Sequence, residues 1–181
     1  MDDNLIKAIA DRQAITDILH RYCHGVDRCD MELLKSAYWP DAVDEHGTFN
    51  GNALEFCEAT LPALKTMTCT MHMVSNILIT LDGDKATVQS YCLAYHQIPA
   101  SAETCASEMI VGGRYLDRME RRGSEWRIAH RLYVMDWNSN APSTMILDKG
   151  LFARLKTRGA RFPDDPSDGY GFGSAKLAER L

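Results

Sequence analysis

An imidazole works as a general base when a carboxylate behind it fixes its tautomer and balances the charge the ring gains. The chain carries the parts for such a pair: His72 in TMHMV and His96 in AYHQI, both on stretches that read as strands, and Asp27 in HGVDRCD just past a helical stripe. Taken singly, Asp27 also reads as an exposed turn residue, and a histidine on an apolar strand face as a hydrogen-bonded core side chain. Arg114 in VGGRY and Arg131 in AHRLY interrupt apolar strands. Turned inward, a guanidinium would bind a carboxylate or phenolate or steady a developing oxyanion; turned outward, it would only face water. His20 and His24 are four apart on the first helix, but no third ligand stands at an evident spacing, and no metal is expected. The tail motif GYGFG lacks the preceding strand and the lysine of a phosphate loop.

Those residues need elements to hold them. Apolar residues at Ile15, Ile18, Leu19, Tyr22 and Val26 form one stripe, which predicts a helix over residues 4–25 ending near Gly25. Asp30 caps a shorter helix, MELLKSAY, stopped by Pro40, and an extended stretch runs from Asp41 and Ala42 toward Phe49. NALEFCEATLPALKT predicts a third helix over 52–66, with Pro62 as a late kink or break. The period then changes. MHMVSNILITL and KATVQSYCLAYHQI flank the turn DGD, and EMIVGGRYLDRMERR and EWRIAHRLYVMDW follow, joined at Gly123 and Ser124. Helices first and long antiparallel strands after predict an α+β fold with a curved sheet wrapped around helices. Alternation puts His72 on a face with Val74 and Asn76, and His96 on a face with Ala94, Cys92, Ser90 and Val88, whose small side chains leave room for a ligand. Arg114 alternates with Ile110, Gly112 and Leu116, and Arg131 with Tyr133 and Met135; spacing alone leaves open which faces are inner. RMERR reads as a solvated turn. Residues 139–181 are Pro-, Gly- and Asp-rich and read as an extension: a lid, an arm onto a neighbouring subunit, or a partly disordered tail.

Composition excludes several classes. The 181 residues suit one domain, 1–138, plus that extension. Twenty Lys+Arg against 25 Asp+Glu leave a net charge of −5, which opposes phosphate binding, so nucleic acid is not expected as a partner. No apolar run approaches the ~20 residues that cross a bilayer, so no membrane partner is expected and a cytoplasmic location is. The six cysteines lack C-x-x-C spacing and read as reduced, packing thiols.

Tyr22 and Asp27 in RYCHGVDRCD, the MHM around His72 and the closing GGRYLDRMERRGSEWRIAHRLYVMDW together resemble the SnoaL-like branch of the nuclear transport factor 2-like superfamily, over about residues 5–138. The resemblance implies a cone-shaped α+β barrel, its strongly curved antiparallel sheet wrapped around N-terminal helices and a deep pocket. Within that superfamily the chain looks most like cofactor-independent lyases: scytalone dehydratase, bile acid 7α-dehydratase and hexachlorocyclohexane dehydrochlorinase. These use an Asp–His dyad, which falls here on Asp27 and His72; Tyr22 stands where the bile acid enzyme has a catalytic tyrosine. His46 matches a tyrosine of both dehydratases, and His96 a second histidine of scytalone dehydratase if one residue is gapped. Unlike a phenol, an imidazole titrates near neutrality, so the acid that helps the leaving group depart differs if His46 supplies it.

The function implied is a lyase without cofactor, in the breakdown of a small hydrophobic cyclic or aromatic substrate. His72 would be the base, Asp27 its orienter, Tyr22, His46 or His96 the acid or polarising group, and Arg131 or Arg114 the anchor of an anion. Dehydration, aldehyde-releasing carbon–carbon cleavage of a phenol through a quinone methide, and ketosteroid-isomerase-like double-bond migration all fit this set. A non-catalytic binding or assembly subunit, such as the small subunit of a ring-hydroxylating dioxygenase, needs neither Asp27 nor His72. The resemblance also implies a homo-oligomer, a trimer ahead of a dimer.

Overall fold

The computed structural model describes residues 2–175. Helix α1, Asp3–Arg28, starts where the Asp2 side chain accepts from the Asn4 amide and ends at Cys29 in the left-handed conformation. It buries the expected stripe of Ile15, Ile18, Leu19, Tyr22 and Val26. The helix passes the expected stop at Gly25, because that glycine serves contact with the next helix. A Cβ there would lie 2.7 Å from the Leu34 Cα. The extra turn puts Asp27 inside the helix and buries it, which removes the exposed-turn reading.

Asp30 caps α2, Met31–Lys35, which is shorter than MELLKSAY. Ser36 and Ala37 turn the chain and Tyr38 opens β1, Tyr38–His46, with Pro40 where the β1 register is interrupted, a place that needs no amide donor. β2, Phe49–Asn52, pairs with β1, and Asn52 caps α3, Ala53–Lys65, whose single helix accommodates Pro62. Two long hairpins follow: β3, Cys69–Asp82, with β4, Lys85–Ile98, and β5, Ser107–Arg122, with β6, Glu125–Pro142.

The six strands form one sheet in the order β2-β1-β6-β5-β4-β3. This is the expected α+β arrangement of N-terminal helices on one sheet, with two differences from an antiparallel barrel. β1 runs parallel to β6, making the sheet mixed, and β2 and β3 remain as edges, so it curves without closing. Its concave face holds α1 against β3 and β6, and α3 against β1. Among the described residues, no helix is long and apolar enough to cross a membrane.

Irregular pairings decide which side chains face in. On β3 the ladder skips between Ser75 and Leu78, and Asn76 takes a φ of 50°. Thr70, His72 and Val74 therefore point inward before the skip, and Ile77, Ile79 and Leu81 after it. Asn76 does not share the face of His72, as strict alternation had it. On β6 one extra residue, Ala129, lies between the pairs Met119–Ile128 and Arg118–His130, and it turns Arg131 and Tyr133 inward along with Ile128.

After Pro142 the extension runs back over its own chain. A 3-10 turn, Phe152–Arg154, and a short helix α4, Pro166–Gly169, interrupt it. It crosses the C-terminal end of α1, where the Phe162 amide donates to the Arg28 carbonyl at 2.6 Å, Arg28 pairs with Asp165 at 3.0 Å, and the Ser174 amide donates to Asp30 at 2.7 Å.

Candidate active site

The last turn of α1 and the start of β3 bring Asp27 and His72 together. Asp27 Oδ1 lies 2.8 Å from His72 Nδ1, and its Oδ2 accepts the His72 backbone amide at 2.7 Å. A carboxylate only accepts, so Nδ1 carries the proton and Nε2 is left with a lone pair. Both side chains are about one-tenth exposed. Burial by itself would raise the Asp27 pKa; hydrogen bonds from the His72 ring, the His72 backbone and the Thr70 hydroxyl outweigh it and hold the carboxyl below its ordinary range.

A carboxylate in the last turn of a helix opposes the helix dipole and needs cations nearby. Arg161, from the extension, supplies one. Its Nη1 donates to the Asp27 carbonyl and to Thr70 Oγ1, and its Nη2 donates to Leu64 and Met67 carbonyls at the end of α3. Because Thr70 Oγ1 accepts from Arg161, its own proton is free for Asp27. Arg161→Ala is expected to lower kcat about tenfold or more with little change in KM, since small misplacement of a reacting pair costs up to ~10²-fold. Loss of the cation should also move the acid limb of the pH–rate profile to higher pH, with partial recovery in Arg161→Lys. A variant that is less stable but keeps its kcat and its profile would leave Arg161 with a packing role alone.

The dyad opens onto a cavity of about 220 Å³, walled by Tyr22, His46, Phe56, His72 and His96 among others. All three of α1–α3 and every strand except β2 contribute a wall residue. A larger hollow of about 650 Å³ lies between the extension and the start of β3, lined by Thr70 and Arg161 but by neither Asp27 nor His72. A third hollow, of about 610 Å³, touches the outer side of the dyad and includes His20, His24 and Met73. Tyr22, His46, His72 and His96 converge on the smallest, whereas the third is lined by His20, Cys23, His24, Asp27 and His72.

His96 stands edge-on to His72 with ring centroids 5.3 Å apart. Burial, and next the neighbouring His72, lower the His96 pKa to about 4, so it is neutral at neutral pH. Its unfolded-state value is near 6.5; stability is therefore complete above that pH and is lost as pH falls from about 6.5 through 4. A difference of that size is worth about 3 kcal/mol once pH is below both values. Urea melts between pH 7 and 4.5 should show a shallower loss for His96→Gln than for the wild type; parallel losses would remove His96 as the cause. Burial also raises Tyr22 well above 10, which keeps it a phenol and a hydrogen-bond donor.

The two arginines divide. Arg114 lies on the outer, convex face with Leu116, and forks onto Asp136 with two bonds of 2.9 Å, so it does not anchor a ligand in the cavity. Arg131 points inward but behind the wall. It is 0% exposed, forks onto Asp117 at 2.7 and 2.8 Å, and is plated by the rings of Tyr115 at 3.9 Å and Tyr22 at 4.2 Å. The rings stand between its charge and the cavity, so Arg131 backs the site instead of binding an anion in it.

Spacing did not single out Tyr115, Tyr133, Asp44, Asp117 or Arg161. Only Tyr133 left a trace, sharing its alternation with Arg131. Its ring fits because Gly113 has no side chain: a Cβ there would lie 2.8 Å from that ring and 2.3 Å from the Val134 carbonyl. Burial pushes the Cys23 and Cys57 thiols up to about 12, so neither is a thiolate at neutral pH. Among the described residues, no three His, Cys, Asp or Glu side chains are gathered as ligands for a metal; His20 and His24 acquire no third partner.

Comparison with known proteins gives a consistent picture. The SnoaL-like domain family matches residues 7–132. "Terrestric acid biosynthesis cluster protein E" of Penicillium crustosum is 27% identical over 141 residues, which are 74% of this chain and 88% of that protein. Among solved structures, a hexachlorocyclohexane dehydrochlorinase of Novosphingobium barchaimii superposes with a TM-score of 0.63 at 21% identity, over 78% of this chain and 95% of its own. A Novosphingobium aromaticivorans protein provisionally named scytalone dehydratase gives 0.64 at 21% identity, over 73% and 88%. At these identities the solved structures show a shared fold.

Proposed function

The chain belongs to the SnoaL-like family, and from that premise we propose that it is a cofactor-free lyase that eliminates water or a comparable leaving group from a small cyclic or aromatic compound. The observation that carries this reading is the Asp27–His72 pair, in which His72 lines the cavity and Asp27 stands behind it, with Nδ1–H held by the carboxylate and Nε2 free. His72 Nε2 takes a proton from carbon, and Asp27 balances the charge on the ring. Positioned acid–base groups contribute ~10²–10⁴-fold each, enough to drive an elimination when a carbonyl already acidifies the proton. Tyr22, kept as a phenol, is suited to donate to that carbonyl as negative charge builds on it. The names of the fold relatives, a dehydrochlorinase and a dehydratase, are those of eliminating enzymes and support the class.

Cavity size limits the substrate. An apolar cavity of ~150 Å³ accepts benzene, so about 220 Å³ suits one ring or a compact fused pair. A fused cyclic β-hydroxyketone such as 3-hydroxy-1-tetralone is a direct probe, because loss of water yields 1-naphthol and a new ultraviolet band. Turnover by the wild type that survives unchanged in both His72→Ala and Asp27→Asn would overturn the reading.

A further inference from the structure

We propose that His46, backed by Asp44, is a second catalytic imidazole and the acid that protonates the leaving group; this rests on the lyase reading above. Six titratable groups in the cavity wall could give a proton besides the dyad, Tyr22, His46, Cys92, His96, Tyr115 and Tyr133, and burial holds the Cys92 thiol and the Tyr115 and Tyr133 phenols in their neutral forms. Burial keeps His96 unprotonated at neutral pH and Tyr22 a phenol, a reluctant source of a full proton. His46 remains, and its surroundings are built to hold it.

The ring is stacked between Phe56, with centroids 4.7 Å apart and planes at 17°, and Tyr133, at 4.5 Å and 16°. Those two contacts, from α3 and β6, fix the ring plane and leave rotation within it. Asp44, two residues earlier on the same strand, is 0% exposed. Its Oδ2 accepts the Tyr38 hydroxyl at 2.5 Å. Its Oδ1 has no donor, and His46 Nδ1 is likewise buried without a partner. The two bare atoms lie 3.4 Å apart, short of hydrogen-bond geometry. A movement of about 0.5 Å brings them to an ordinary hydrogen-bond length, and a buried acceptor and donor left unpaired cost enough to favour it. Nε2 is the nitrogen not enclosed by protein.

The polar groups around the ring are consistent with that pairing. Beside Asp44, the titratable neighbours that touch it are Tyr115 on β5 and Tyr133 on β6, both raised by burial and therefore neutral. The nearest buried cation on β6, Arg131, is register-paired with Asp44 but engaged by Asp117. Asp44 thus offsets the positive charge His46 carries as an acid, as Asp27 does for His72.

The elimination then balances. The carbon–hydrogen bond breaks toward His72 Nε2, its electron pair forms the new double bond, and the carbon–oxygen bond breaks as His46 Nε2–H delivers its proton, releasing water. His72 ends protonated and His46 neutral, and exchange with solvent resets both. The pair was hidden in the sequence because Asp44 and His46 share a strand, and strand neighbours two apart share a face without any sign that they touch.

The test compares 3-hydroxy-1-tetralone with 3-chloro-1-tetralone, whose chloride leaves without a proton. In His46→Gln the hydroxy compound should slow ~10²-fold or more, while the chloro compound stays within about threefold of wild type after subtraction of its spontaneous elimination. Retained chloro turnover also shows that the variant is folded. Equal change with both substrates, including no change, would overturn the acid role. If instead His72→Ala matched the wild type on the chloro compound, the lyase reading itself would fail, a distinguishable result. Long-range proton–nitrogen NMR needs no substrate: the neutral His46 ring should carry its proton on Nδ1, and a proton on Nε2 with bare Nδ1 would overturn the pairing with Asp44.

Discussion

His72→Ala is expected to reduce turnover of a cyclic β-hydroxyketone by at least ~10²–10⁴-fold, the contribution of one positioned proton-transfer group. KM should change little, since the ring is a small part of the wall. Asp27→Asn tests a different link. The amide can still accept from the His72 backbone, but it no longer balances the imidazolium, and its NH₂ can force the ring into the wrong tautomer. A loss approaching that of His72→Ala is therefore expected, with the double variant no worse than the more damaging single one, because residues acting as a unit are not additive. Rates that multiplied independently would show that Asp27 and His72 do not act together. Circular dichroism of each variant separates loss of chemistry from loss of fold.

The second large effect concerns stability. Arg131 and Asp117 are each 0% exposed and joined by two short bonds. Asp117→Ala leaves a guanidinium buried without its counter-charge, and breaking such a pair costs about 3–5 kcal/mol. For a chain of this length each kcal/mol moves Tm by ~2–4 °C, so a fall of about 10–15 °C or failure to fold is expected. Removing both charges, in Arg131→Met with Asp117→Leu, should recover most of that loss, since apolar replacements of a buried pair are often neutral. Denaturant melts decide it: Asp117→Ala within about 1 kcal/mol of the wild type would mean that water or another side chain reaches Arg131.

Much of this was legible in the chain. The stripe on α1, both hairpins and the small-residue face under His96 follow from period alone, and the family resemblance pairs Asp27 with His72, which lie 2.8 Å apart. What escaped has physical causes. Gly25 has the type of a helix stop but the job of a close contact with α2, so its type alone places the end of α1 one turn short. The partner of Arg131 was hidden by one residue. Counting from the turn, where Arg122 faces Glu125, a regular ladder sets Asp117 opposite His130; only the extra Ala129 advances it to Arg131. Arg161 reaches Asp27 across the whole fold and left no local pattern at all. It also lies beyond the residues matched to the family, in the part of the chain that composition made look least informative.

The skips on β3 and β6 carry a consequence for altering this protein. At each of these skips a single extra residue splices two segments of opposite phase, a hairpin end that packs on α1 and a site end that presents His72 or Tyr133, and β6 shifts once more at Asp136. Deleting Asn76 or Ala129 would not shorten a loop. It would turn one segment inside out relative to the other, so that the chain had to choose between keeping its core and keeping its chemistry.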